Sequence, residues 1–168
     1  MYYNIKQKST MGFYKYLFIL LIFFTSCIRT NTFEKNVAIP KFKWDEKNRI
    51  PYTFYISDTS SSYSMYFMIR HTDAYPFSNI WLNIETIFPI KDSSVSSKVE
   101  VPLADPEGKW LSRGSNGMNE VWEHKMLIAS PLKFSKTGEY TIALSHIMRV
   151  NPLPEIMSVG IRLEKNVN

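Results

Sequence analysis

Beyond Phe33 the apolar residues of this chain recur at every second position, and a period of two is compatible with β-strands and not with helices. In the segment Ser62 to His71, residues Tyr63, Met65, Phe67 and Ile69 share one strand face, while Tyr66, Met68 and Arg70 take the other. Ser78 to Phe88 sets Ile80, Leu82, Ile84 and Phe88 against Trp81, Asn83 and Glu85. The turn-forming run Thr72-Asp73-Ala74-Tyr75-Pro76 lies between the two segments, so they are expected to form a hairpin. Further strands are expected at Ile50 to Ile56, Ser97 to Leu103, Val121 to Ala129, Glu139 to His146 and Met157 to Glu164. No apolar stripe with helical spacing extends beyond about two turns. Seven short strands separated by Pro, Gly, Ser and Asp clusters predict an all-β fold, a single antiparallel β-sandwich.

The stretch Pro102 to Gly117 has the densest turn chemistry. Asp105-Pro106-Glu107-Gly108 fits a type I turn, with proline pre-setting the second position and glycine closing it. Gly114 and Gly117 permit backbone angles closed to other residues. Trp110 and Leu111 form an apolar wedge between these points. The wedge either pins the loop to the core or presents Trp110 to a partner.

The N-terminus follows a different logic. Residues 1–26 carry Lys6, Lys8 and Lys15 and no acid, then an apolar run from Tyr16 to Phe24, then Thr25-Ser26-Cys27. That order is expected of a secretory signal peptide. Nine residues are too few to cross a hydrocarbon core, where a helix needs about 20. Phe24-Thr25-Ser26-Cys27 is similar to the bacterial lipobox, which makes Cys27 the expected lipid acceptor. Acyl chains hold a protein on a membrane at roughly 0.8 kcal/mol per buried methylene. Met11 would serve equally as the start without changing the mature chain. The expected organisation is a signal over 1–26, the lipidated cysteine and a polar tether over 27–33, and the sandwich over 34–168.

Cys27 is the only cysteine, so the mature domain must be stable without an internal disulfide. Three of the 20 basic residues leave with the signal, and 17 against 15 acids is a net charge of +2. No basic stretch remains to track a phosphate backbone, which argues against nucleic-acid binding.

Signatures of catalysis are sparse. His71, His124 and His146 fall on three different expected strands. Glu120-Val121-Trp122-Glu123-His124 lacks the second histidine of a zinc-protease helix, and on a strand Glu123 and His124 point to opposite faces. No nucleophile elbow, phosphate loop or dinucleotide fingerprint occurs. Carboxylates such as Asp73, Glu85 and Asp105 are scattered, and sequence spacing does not pair them. No cofactor or metal is expected. Aromatics are the abundant resource, 25 of 168 residues. Among them Tyr75, Phe77, Trp81, Trp110 and Trp122 lie at turns or on the less apolar strand face. Such residues either pack half-buried, stack on sugar rings or anchor a protein interface.

Several stretches carry a likeness: the lipobox, Tyr75-Pro76-Phe77-Ser78-Asn79-Ile80-Trp81-Leu82, and Pro102-Leu103-Ala104-Asp105-Pro106-Glu107-Gly108-Lys109-Trp110-Leu111. With Gly114, Gly117, Ser145-His146-Ile147-Met148-Arg149 and Val159 to Lys165, the chain resembles the gliding motility lipoprotein GldH family of Bacteroidota over essentially its whole length. Leu-Ala-Asp-x-x-Gly-x-Trp-Leu is the most specific part. Ser112 departs from the pattern, which leads us to expect glycine after Trp-Leu. The resemblance implies a cell-envelope lipoprotein needed for gliding, working beside machinery that also supports type IX secretion. It carries over no catalytic residue.

The expected function is therefore non-enzymatic: a lipid-anchored component that docks other envelope lipoproteins or secretion and gliding parts. The alternative is a glycan-binding sandwich that captures polysaccharide. Asn79, Trp81, Asp105, Gly108, Trp110, Leu111 and Gly114 are the candidate interaction residues for either. Ile28-Arg29-Thr30-Asn31-Thr32 holds no acidic cluster after Cys27, which favours the periplasmic face of the outer membrane.

Overall fold

The computed structural model describes residues 32–90, 93–114 and 121–166. Cys27 and Gly117 lie outside them. The strands are β1 (Thr32–Ala38), β2 (Lys43–Trp44), β3 (Ile50–Ile56), β4 (Tyr63–Thr72), β5 (Asn79–Ile87), β6 (Ser94–Pro102), β7 (Arg113–Gly114), β8 (Val121–Leu132), β9 (Gly138–His146), β10 (Leu153–Pro154) and β11 (Ile156–Lys165). One sheet runs β1-β11-β4-β8-β7, the other β3-β9-β5-β6, and β2 pairs with β10 in a short ribbon. Every pairing among them is antiparallel. The fold is an all-β antiparallel sandwich.

All seven expected strands are present, and the core-facing residues keep the expected parity, although Met68 of β4 and Ala143 of β9, on the opposite faces, are buried too. Tyr63, Met65, Phe67 and Ile69 are buried from β4, Ile80, Leu82 and Ile84 from β5, and Val159, Ile161 and Leu163 from β11. These faces meet in one core, joined by Tyr52, Phe54, Tyr140, Ile142 and Leu144 of the second sheet. Contacts cross from sheet to sheet. The Phe33 and Phe54 rings lie 5.3 Å apart, and the Tyr52 hydroxyl donates to the Val159 carbonyl at 2.8 Å. A fully buried Leu, Ile or Phe contributes about 1.5–3 kcal/mol, which is how this core holds without a disulfide.

The expected hairpin between the second and third strands does not form. β4 pairs with β11 and β8, whereas β5 pairs with β6 and β9. The intervening turn instead carries the chain from one sheet to the other. Tyr75, expected at an open turn, is 3 % exposed and donates its hydroxyl to the Asn79 carbonyl at 3.0 Å. Burying that ring inside the sandwich fixes the crossover. Both strands keep their apolar faces inward either way, so periodicity alone does not choose between the two arrangements.

β1 was not expected, and it begins at Thr32, inside the stretch read as tether. Its alternation is interrupted because exposed Lys35 stands between Phe33 and Val37, which pack on the core. Met157, expected inward, is half-buried, since a register shift between Ile156 and Ser158 turns Ile156 inward instead.

Gly160 shows how closely β1 approaches β11. The two strands pair Asn36 with Gly160. A Cβ at Gly160 would lie 2.6 Å from the Lys35 carbonyl oxygen and would also clash with the Asn36 side chain. The side chain can turn away, but the carbonyl cannot move without disturbing the ladder. Gly160→Ala is expected to lower unfolding stability by about 2 kcal/mol in a urea titration. A loss under about 0.5 kcal/mol would show that β1 yields freely.

Candidate functional site: a tryptophan–histidine corner

The block Leu103 to Leu111 folds as a tight loop. The Gly108 amide donates to the Asp105 carbonyl at 3.0 Å, closing the expected turn, and the Asp105 amide donates to the Lys109 carbonyl at 2.9 Å. Gly108 has φ of 84°, a left-handed angle that disfavours any side chain. The Asp105 carboxylate accepts from the Lys109 amide at 2.7 Å, so its role is to brace the turn. Ala104 and Trp110 then bridge across the loop. Leu103 is fully buried, and the Leu103 and Ala104 amides both donate to the Ser78 carbonyl. The loop is thereby fastened to the β4–β5 crossover.

This attachment brings Trp110 onto residues from two other strands. Its ring centroid lies 4.5 Å from His71, 6.2 Å from His124, 6.3 Å from Trp122 and 6.4 Å from Tyr75. The Trp110 and Trp122 indole N–H groups both donate to one oxygen of Asp73, at 3.1 and 2.9 Å. Those two hydrogen bonds hold the Asp73 carboxyl below its usual range. Trp110 is half-buried, so the reading of a loop pinned to the core describes it better than a free wedge.

His71 and His124 form the centre of the corner, with Nε2 atoms 2.9 Å apart. The pair is asymmetric. His71 Nδ1 lies 2.7 Å from the Thr72 carbonyl, which can only accept, so His71 Nδ1 carries a hydrogen. Burial pushes the His71 imidazole below its ordinary pKa. It is neutral at pH 7, and its Nε2 is a bare acceptor. His124 Nε2 must therefore be the donor. Burial first, and the neighbouring His71 second, lower the His124 pKa to about 4, so this ring is neutral too. Its Nδ1 is left as an unprotonated lone pair. That atom is buried and has no hydrogen-bond partner among the described residues, and the same holds for the Ser112 hydroxyl. His124 and Ser112 both line a cavity of about 440 Å³ with Leu111, Glu123, Lys125 and Met126.

The expected site residues thus divide. Asp105, Gly108, Trp110 and Leu111 build one loop, and Gly114 continues it in β7, paired with Trp122. Asn79 and Trp81 belong elsewhere. Trp81 is 40 % exposed on the outer face of β5, opposite Glu100, which accepts from the Asn79 amide at 2.5 Å. Trp81 and Trp110 therefore do not make one aromatic platform. The sequence reading missed the histidine pair and Asp73. A signal existed in part, because His71 continues the buried face of Tyr63, Met65, Phe67 and Ile69. Nothing in the spacing showed that His124, 53 residues later, would meet it. Among the described residues no group of three or more His, Cys, Asp or Glu side chains is placed to hold a metal.

Comparison with known proteins agrees with the motif. The model of the GldH lipoprotein family matches residues 31–163. A protein named "Gliding motility lipoprotein GldH homolog" from Christiangramia forsetii is 27 % identical, over 96 % of this chain and all of that one. "Gliding motility lipoprotein GldH" from Flavobacterium johnsoniae is 23 % identical, over 89 % of this chain and 94 % of its own length. Among solved structures, the VP2 subviral particle of infectious bursal disease virus aligns with a TM-score of 0.32 at 10 % identity, over 80 % of this chain and 30 % of that one, which carries no argument. With the family model covering most of its length, the chain belongs to the GldH lipoprotein family.

Proposed function

We propose that this protein is a lipid-anchored envelope component that works by protein–protein contact rather than catalysis, as part of gliding and type IX secretion machinery. The relatives' names support the process, and the order of basic, apolar and small residues before Cys27 supports the anchor. The observation that carries the contact role is the use made of the family's most specific block. Two polar groups that the motif fixes are spent internally: Asp105 on its own turn, and the Trp110 indole on Asp73. The large apolar side chain that the block leaves in solvent is Leu111, 49 % exposed at the end of a braced loop, with Pro106, Glu107 and Lys109 exposed beside it. A rigid loop with an apolar tip suits a docking contact, since little conformational freedom is lost on binding. The short tether after Cys27 limits the domain to partners near its own membrane, and we place it on the periplasmic face of the outer membrane.

A photo-crosslinking residue at position 111, in the native host, is expected to yield a discrete adduct with another envelope protein. The same residue at Tyr55, 69 % exposed on β3, should not. Equal adducts at both positions, or none at 111, would sink the docking reading. Cys27→Ala is expected to shift the chain from the membrane to the soluble fraction; a variant that stays with the membrane would overturn lipidation at Cys27.

A further inference from the structure

The start of β1 and the Trp110 corner lie at opposite ends of the sandwich. Thr32 opens β1 opposite Glu164, near the end of β11, and Tyr63 at the start of β4 pairs with Lys165 and with Leu132 of β8. In the second sheet Ile56, the last residue of β3, pairs with Gly138, the first of β9, and the last residue of β5 pairs with Ser94 and Thr141. Segments 57–62 and 133–137 and the β5–β6 turn therefore gather where β1 starts, whereas Leu103 to Leu111 follows the far end of β6. A ten-residue strand such as β11 spans about 33 Å, which sets the separation of the two ends. Four residues stand between Cys27 and Thr32. Fully extended, the chain covers at most about 18 Å from one to the other.

The end where β1 starts is built from braced loops. The Phe88 amide donates to the Ser93 carbonyl at 3.0 Å, closing the turn that carries Ile90, 50 % exposed. Gly138 lies so close to this turn that a Cβ on it would meet the Pro89 side chain at 2.8 Å. Phe134 is buried against Phe54, Tyr63 and Tyr140, and the Tyr140 hydroxyl donates to the Lys136 carbonyl at 2.9 Å. Ile90, Ser135 and Lys136 thereby line one shallow groove of about 200 Å³. Lys133 and Lys136 are exposed, and neither has an ion-pair partner among the described residues. Asp58 is bound by Lys165 at 2.6 Å, and Glu164 by Lys125 and Arg162. Glu139 is exposed on the outer face of β9, opposite Tyr55, and the two lysines outweigh it.

We propose, on the reading that Cys27 carries the lipid, that this end docks on the bilayer, with Ile90 entering the interface and Lys133 and Lys136 meeting anionic phospholipid headgroups. The short tether brings the surface within reach of the membrane, and the surface has the chemistry to stay there. An exposed isoleucine gains by leaving water, and each lysine near an anionic surface favours the bound state by a factor of about five. A tether alone would let the domain swing; the second contact stops it. Leu111 is then presented away from the domain's own membrane, about 30 Å out.

The mature lipoprotein is reconstituted in vesicles of phosphatidylethanolamine and phosphatidylglycerol, and flotation on a density gradient reads the anchor alone. Cys27 is the only cysteine and its thiol is taken up by the lipid, so Ser135→Cys, exposed in the groove, gives one site for a nitroxide label. Val150→Cys, 44 % exposed at the opposite end, gives the control. The label at 135 is expected to be relaxed by oxygen from the bilayer and shielded from a nickel chelate in water, and the label at 150 the reverse. Lys133→Gln with Lys136→Gln is expected to lower the docked-to-undocked ratio roughly 25-fold, with flotation unchanged. Ile90→Ser is expected to lower it several-fold, and phosphatidylcholine in place of phosphatidylglycerol should act like the glutamines. Vesicles that float with the label at 135 as open to nickel as that at 150 would overturn the docking and leave the anchor standing. Shielding at 135 that ignores the glutamines, the serine and the lipid charge alike would overturn the assigned contacts. A chain that does not float overturns the anchor at Cys27, and the docking with it.

Discussion

Trp110→Ala is expected to lower the unfolding free energy by about 3 kcal/mol, the low end of the range for truncating a packed tryptophan, because the ring is half-buried. Three losses combine. The ring leaves His71, Trp122, Tyr75 and His124, its nearest contact being 4.5 Å between centroids. Asp73 loses one of its two indole donors. The loop that Trp110 fastens loses its only aromatic anchor, so Leu111 no longer sits at a defined place. Urea unfolding should show the midpoint falling with little change in slope. Trp110→Phe keeps most of the packing and should recover all but about 1 kcal/mol, the usual contribution of one hydrogen bond. If Trp110→Ala loses less than about 1 kcal/mol, the corner is not held as described. If Trp110→Phe is as damaging as alanine, the bond to Asp73 matters more than the packing.

Acid is expected to destabilise the fold over a window that belongs to the histidines. His71, His124 and His146 are all buried, and burial pushes each below its ordinary range, His124 to about 4. A histidine whose folded pKa is depressed binds its proton more readily when the chain is unfolded. Its stabilisation is therefore complete above the unfolded pKa of about 6.5 and is lost as pH falls towards the folded value. For His124 that window runs from about 6.5 down to about 4, and the full shift corresponds to about 3 kcal/mol at its lower end. The carboxylates act in a lower range. Asp73 and Glu164 are held below their ordinary range by hydrogen bonds, so their contribution is lost only below about pH 4. Thermal unfolding followed at pH 7 and pH 5 should show a clear fall, and His124→Phe should flatten it. A profile flat between pH 7 and pH 5 in the unmodified protein would mean that the rings are not buried neutral.

His146 illustrates the same physics without a partner histidine. Its Nε2 hydrogen goes to the Trp44 carbonyl at 2.9 Å, so its Nδ1 is likewise a bare, buried acceptor. The Trp44 ring, fully buried, packs 5.3 Å from it. The run Ser145 to Arg149, one of the stretches that carries the family likeness, thus owes part of its character to the core.

The amino-acid sequence by itself determined the strand faces, since each residue's side of a strand depends only on the parity of its position. It also determined the Asp105–Gly108 turn, whose proline and left-handed glycine act within four residues, and it carried the family motif. Sheet membership was beyond its reach. Which strand lies beside β4 depends on how two faces close over one core, and the buried ring of Tyr75 decided that β5 crosses to the other sheet. The corner was decided later still. His71 with Asp73, Trp110, and Trp122 with His124 come from three separate segments, and no local preference links those segments. Only tertiary packing could bring two imidazoles within 2.9 Å in a place dry enough to keep both neutral.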